Sequence, residues 1–471
     1  DIGGMCHNMI SKTPIVTQDE LGLMSKYGLE YVQAESMFGT VFPDNTYLAV
    51  DVSLDQTCQN IAQFSEKDAE AYVKFHEYMG KMLAVAGIGA QSPVPPYGSM
   101  MNAMSMSPEG REFQRVLNSS AQQILEEWFE SEQVRVTFSR WCTEMMIDPR
   151  QIGTATLLYF TTTVHNPETV CSPVPKGGCA SFVKALVECC KDAGADLFTN
   201  AYVDTITTAG GEAKTVRTKN GDEFKAKNAI VSTINVKDVY DYLGDDAPAE
   251  EADYARKLKY SDFAALNQSF ALKKEPEFKA GPGVKRMFNL ESAPWEKEYL
   301  QTFSNYTLGE FSPHLPNITM PYINDPSRCP AGQAVMNVYT YAPYKLWGDE
   351  KNWETHGQEL MDQVWDHVKN MTTNITDDDI IGRWGFTPVD YEKWNPAMHN
   401  GDIAMIGMQP SQLYDMRPFP GKGHLYHGDI ENLYIIGTCG HPGAGIAASA
   451  RAGIQTVLDD FGVDFRDVVK K

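Results

Sequence analysis

No Cys-x-x-Cys pair occurs among the nine cysteines, and the only close neighbours are Cys189 and Cys190. An odd, scattered set of this kind excludes a zinc ribbon and a disulfide framework, and points to reduced thiols in a reducing compartment with no metal site. Positive charge is scarce as well: 40 Lys and Arg stand against 62 Asp and Glu, a formal net charge of -22. Nucleic acid is thereby excluded as a partner, because phosphate binding needs clustered cations and gains from counterion release. No apolar run reaches the roughly 18 residues that a membrane span requires. The longest candidate, "MLAVAGIGA" from Met82, stops at a Pro-rich turn. The expected location is cytoplasmic, with peripheral membrane contact left open. Internal repeats, charge runs and low-complexity linkers are missing too.

What is present is length and a change of texture. At 471 residues the chain exceeds the usual size of one hydrophobic core, so two interleaved domains are expected. From Ser65 to Lys81 an N-cap serine, acids in the first turn and apolar residues at helical spacing predict a helix. After the Pro-rich break a second helical stretch, "QRVLNSSAQQILEEWF", follows, and residues 11–170 read as mainly helical. Beyond "PVPKGG" the pattern becomes an amphipathic helix from Ala180, then the alternating "AYVDTITT" and "AKTVRTK", the turn "KNG" and the apolar "AIVSTI", which together predict a helix followed by a β-meander.

Near the end, "ENLYIIGTCGHPGAGIAASARAGIQTVL" places a strand-like run from Leu433 to Ile436 before a glycine cluster and a small-residue helix starting near Gly445. Unpaired N–H groups at a helix start suit an anionic or electron-rich ligand atom, and small residues let it approach the backbone. Tight strand-to-helix packing demands small residues equally, and the motif alone leaves both readings standing.

The same segment resembles the C-terminal FAD signature of phytoene desaturase-like flavoproteins, the group of carotenoid desaturases, carotenoid isomerases and retinol saturases. "PVPKGGCASFVKALVECCKDAGADLFTNAYVDTI" resembles the family's Gly-Gly helix and the strand that meets the adenosine end of FAD. "HNGDIAMIGMQPSQLYDMRPFPG" resembles the segment leading to the signature, and "LGLMSKYGLEYVQ", "VFPDNTYL" and "FSEKDAEAYVKF" its early helical region. The resemblance covers nearly the whole chain, with gaps in the middle of the substrate region.

It implies an α/β fold in which a doubly wound FAD-binding domain of the glutathione-reductase/amine-oxidase type (1–10, 171–235 and 400–471) is interleaved with an α+β substrate domain (11–170 and 236–399). It implies FAD as cofactor and hydride exchange between flavin N5 and a carbon of an apolar, unsaturated substrate, as in a desaturase, saturase or isomerase. By the same resemblance Gly437 and Thr438 lie by the pyrophosphate and ribityl chain. Gly443 belongs to that cradle, and Gly445 and Ile446 offer backbone N–H groups to the flavin pyrimidine edge. Val203 pairs with adenine through its main chain, while Gly177 and Gly178 shape the turn before the helix. His7 and His441 lie in segments that pass the flavin in relatives and are the candidates for proton transfer, since imidazole titrates near neutral pH. Arg417 anchors a loop through a carboxylate or orients substrate. Met79, Met82, Met100, Met101, Met104 and Met106 either fill core or line a greasy tunnel.

One family feature is missing: the strand, Gly-x-Gly-x-x-Gly turn and helix that hold the FAD pyrophosphate. The first residues, "DIGGMCHNMI", resemble the segment that follows that unit. Truncation or an unresolved N-terminus is the first expectation; processing, a partner chain supplying the unit and weakened or lost FAD binding are the others, and a homo-oligomer is left open. A non-catalytic subunit or apolar-ligand carrier and a flavin amine oxidase remain as alternative functions.

Overall fold

Ser65 accepts a hydrogen bond from the Asp68 N–H at 3.1 Å and so starts the helix Glu66–Ala90. Tyr72, Phe75, Met79 and Met82 recur along it at three- and four-residue intervals, and all four are buried. The computed structural model describes residues 7, 10–165, 173–443 and 446–469. The second helical stretch is two helices, Pro108–Leu117 and Ala121–Trp128, because Ser120 leaves the helix to cap the second by accepting from Gln123 N–H. Phe75, Phe129 and Phe138 then meet Tyr72 in one aromatic cluster, with the Phe75 and Phe129 rings 5.1 Å apart.

The expectation of a mainly helical 11–170 needs one correction. Ser36–Val41 and Tyr47–Asp51 form an antiparallel strand pair, with Asn45 at φ 64 in the turn between them. Leu48 and Val50 face the aromatic cluster while Ala49 faces the opposite core, so both sides of the strand are covered. A strand buried on both faces lacks the polar alternation that would reveal it.

That pair completes a seven-stranded sheet. In spatial order its strands are Ile380–Phe386, Ala264–Leu272, Ala334–Ala342, Asn317–Thr319, Met287–Ser292, Ser36–Val41 and Tyr47–Asp51. Met287–Ser292 runs parallel to Ser36–Val41, and the other neighbours are antiparallel. Helices Glu66–Ala90 and Glu132–Cys142 cover one face. The helix Asn352–Asn370 covers the other, where Trp365 stacks on Phe270 at 4.3 Å.

The helix Cys179–Asp192 and the antiparallel strands Val203–Ala209, Glu212–Thr218 and Glu223–Lys225 follow as the alternation predicts. The next strand, Ile230–Ser232, leaves the meander and pairs in parallel with Leu433–Ile435. Backbone bonds between Gly211, Ala213 and Glu431 tie the meander to that pair. The architecture is α/β, with mixed sheets and covering helices. Residues 236–258, grouped from sequence with the 236–399 segment, form helices Val236–Leu243 and Ala249–Lys257 whose Val239 and Ala255 pack in the core of Leu433 and Ile435. No linker signal marks the chain there. Among the described residues no helix is long and apolar enough to cross a membrane.

Candidate functional site

The C-terminal motif begins with the buried Leu433–Ile435 strand, turns through a short 3-10 segment, Gly437–Cys439, and continues after Gly443 into the helix Ile446–Asp460. Its small residues answer two demands. A Cβ on Gly453 would stand 2.5 Å from the Ile436 side chain, and one on Gly440 would stand 3.1 Å from the Ile435 carbonyl oxygen and the Tyr426 ring. These positions are small so that strand, helix and Tyr426 can close on one another. Gly437 and Gly443 carry φ angles of 80° and 87°, which L side chains rarely adopt.

Thr438 belongs to the second demand. Its hydroxyl oxygen is buried and has no hydrogen-bond partner among the described residues, a condition costly enough that it points to a group from outside the chain. A buried, unspent hydroxyl on a turn of small residues fits the polar atoms of a dinucleotide cofactor. Thr438 with the backbone of Gly437 and Gly443 are the described residues that would hold it. Gly445 lies outside the described residues. Ile446 opens the helix, while Val203 begins the meander opposite Thr218. Gly177 and Gly178, at φ 79° and 104°, do shape the turn before the helix, where the Asp325 carboxylate accepts from Gly177 N–H at 2.7 Å.

Arg417 is fully buried and anchors loops, though through carbonyls where a carboxylate was expected. Its guanidinium donates to the carbonyls of Thr438 (2.9 and 2.6 Å), Gly407, Gln412, Ala404 and Ile406. Burial lowers its pKa to about 10. The Thr438 turn is therefore held from behind by a cation whose donors are all spent.

The two candidate histidines are placed differently. His441 is buried, its carbonyl accepts from the Tyr426 hydroxyl at 3.1 Å, and its ring lies 6.1 Å from that of Tyr414. It lines an apolar cavity of about 440 Å³, within the roughly 300–1,000 Å³ range of small-molecule sites. His7 is not among the lining residues. It packs edge-on against Phe182, shares a 2.9 Å hydrogen bond with the Tyr31 hydroxyl, and burial lowers its pKa to about 4.

One wall of the cavity is the glycine segment itself: His441, Pro442, Ala447 and Ala448. The facing wall comes from the helical region and includes Met100, Met104 and Phe113. The methionines thus divide between the two roles, for Met79 and Met82 are core, Met106 is exposed, and Met101 does not line the cavity. Tyr159, Tyr414, Met145 and Met408 also line it and were not singled out from sequence. Tyr159 sits in "TATLLYFTTTVH", whose 3-10 winding gives no clean helical or strand period. Among the described residues no carboxylate lines the cavity.

Residues 105–437 match the family described as flavin containing amine oxidoreductase. A phytoene desaturase (lycopene-forming) of Pseudescherichia vulneris is 25% identical over 413 residues, 85% of this chain and 77% of the relative. A pyridine nucleotide-disulfide oxidoreductase domain-containing protein 2 of Rattus norvegicus is 23% identical over 87% of this chain and 75% of its own. Prolycopene isomerase 1, chloroplastic, of an Oncidium hybrid cultivar is 24% identical over 302 residues, 62% of this chain and 47% of its own. Among solved structures, putrescine oxidase bound to putrescine superposes with a TM-score of 0.60 at 12% identity, covering 98% of this chain and 88% of that one. Reduced UDP-galactopyranose mutase gives 0.52 at 12% identity, over 100% and 86%. At such identity the two structures speak to the fold alone.

Proposed function

The chain belongs to the flavin containing amine oxidoreductase family and is an FAD-dependent oxidoreductase of the phytoene desaturase-like group; from that premise we propose that it acts on carbon–carbon bonds of an apolar, unsaturated substrate held in the cavity beside His441. The observation that carries this reading is the shared wall: the segment bearing Thr438 and the glycines continues directly into the residues that floor the apolar cavity. FAD, when bound, supplies the two-electron redox chemistry. The chain's own contribution is to hold the cofactor at Thr438, Gly437 and Gly443, and to exclude water with aliphatic, thioether and aromatic side chains. His441 offers an imidazole that can take or return a proton at the cavity wall.

An amine substrate is disfavoured by the chemistry of the cavity walls. An ammonium group entering this cavity would leave water and meet no carboxylate among the described residues.

The test is a visible absorption spectrum of the purified chain with and without added FAD, followed by turnover of an apolar polyene and of a primary amine. A flavin band with turnover of the polyene alone supports the reading. A colourless protein that FAD does not reconstitute favours the ligand carrier, and turnover of the amine alone would favour an amine oxidase.

A further inference from the structure

We propose that the cavity's ligand is an apolar molecule carrying one uncharged oxygen function, a hydroxyl or carbonyl, and that the phenols of Tyr159 and Tyr414 hold that oxygen. The proposal rests on the reading of this cavity as the substrate site and narrows its substrate class.

Tyr159 comes from the 3-10 segment Thr154–His165 and Tyr414 opens the turn Tyr414–Met416, so two distant parts of the chain converge on the same apolar space. Neither hydroxyl makes a hydrogen bond among the described residues. Both residues are half-buried, so their hydroxyls can meet water in the open cavity; a hydrocarbon ligand that displaced this water would leave both donors stranded.

The backbone at Tyr414 points the same way. Its φ is 56°, a conformation costly for a bulky residue and kept only where the surroundings over-determine it. The next residue does so: the Asp415 carboxylate accepts from the Tyr97 N–H at 3.1 Å and from the His424 N–H at 3.1 Å. The turn is thus pinned in the geometry that sets the Tyr414 ring at the cavity, beside His441.

The uncharged character follows from the walls. Burial pushes both phenols well above their ordinary pKa, so they remain neutral donors. Among the described residues no carboxylate lines the cavity, so a cationic end has no counter-ion, and Lys12, the one ionic side chain on these described walls, already has a partner of its own and is not free for an anionic end.

The experiment is competition against the fluorescent apolar probe phenylnaphthylamine on the full chain, using dodecanol, dodecane and dodecanoate. Tyr159→Phe and Tyr414→Phe should each weaken dodecanol about 5- to 10-fold, the worth of one hydrogen bond, and leave dodecane unchanged. Phe preserves ring and volume, and if Tyr414→Phe fails to fold, Tyr159→Phe carries the comparison. Equal effects on dodecanol and dodecane, or none, overturn the inference while the apolar-substrate reading stands. Tighter binding of dodecanoate than of dodecanol overturns the uncharged oxygen. If none of the three displaces the probe, the functional reading falls together with the inference.

Discussion

Arg417 and Arg140 are both fully buried, one behind the glycine turn and one beneath the seven-stranded sheet, yet their surroundings are opposite. Arg417 spends every nitrogen on loop carbonyls. Arg140 uses Nη1 for Thr143, Glu144 and Tyr341, while its Nε and Nη2 have no partner among the described residues. Glu291, 4.0 Å from Arg140 Nη1, keeps one carboxyl oxygen without a partner, as do the nearby strand and helix hydroxyls of Thr40 and Thr137. A buried cation is thus locked in place by carbonyl dipoles alone where the loops can wrap it. Between a helix and a sheet, whose backbones are already paired, it is left partly unsatisfied.

The largest expected effect breaks the locked side. Arg417→Met would leave five buried carbonyls without their donor, at about 1–3 kcal/mol each before relaxation, so a loss of about 4 kcal/mol or more is expected. Urea unfolding followed by circular dichroism would measure it. Arg140→Met should cost clearly less, since two of its nitrogens lose nothing; an equal or larger loss would abolish the distinction between the two sites.

The next effect concerns the unsatisfied side. Burial raises the Glu291 pKa from 4.5 to about 8, with Arg140 pulling the other way. The folded protein therefore keeps a proton that the unfolded chain releases, and this group's contribution to stability declines as pH rises from about 4.5 to about 8. Glu291→Gln removes that slope. Melting curves for the two proteins should lie together at the acid end and separate toward pH 8 with the variant the more stable, by on the order of a few kcal/mol. Curves that stay parallel across that window would show that Glu291 is ionised throughout.

Which of these features could be read from sequence depends on how local their causes are. The Ser65 cap, the helix after Gly178 and the alternating meander are written in neighbouring residues, and each formed where the pattern predicts. The Ser36–Asp51 strand pair was not legible, because its burial on both faces depends on helices and strands far along the chain. The apolar motif ahead of the glycines disclosed a strand, a turn and a helix, but not that Gly440 and Gly453 are small for packing while Thr438 is spare. His7 and His441 look equivalent as letters; only the folded chain places one on the cavity and seals the other against Phe182. Tyr159 and Tyr414 carry no local signature at all, since their significance is their convergence.

A smaller perturbation reaches the locked arginine indirectly. A Cβ at Gly443 would stand 3.0 Å from Arg417 Nε and 2.7 Å from Met408 Sδ, on a backbone at φ 87°. Gly443→Ala should therefore cost about 1–2 kcal/mol, part strain and part displacement of the guanidinium. Because Met408 also lines the cavity, the same variant should weaken binding of an apolar probe. A loss of stability with unchanged probe binding would separate the arginine cluster from the cavity wall.

The smallest effect on stability is the most discriminating. Thr438→Val keeps the shape of the side chain and removes a hydroxyl that has no protein partner. The apo protein should be unchanged or slightly stabilised, because a buried polar group without a partner is lost and nothing that it bonded is orphaned. FAD should bind about 5- to 10-fold more weakly if that hydroxyl meets the cofactor, as one hydrogen bond is worth about 1 kcal/mol. Flavin fluorescence titration and a melting curve read the two quantities separately. A destabilised apo protein would show that the hydroxyl is part of the fold, as the donors of Arg417 are. Unchanged stability with unchanged FAD affinity would leave the small residues of this turn with packing as their whole explanation.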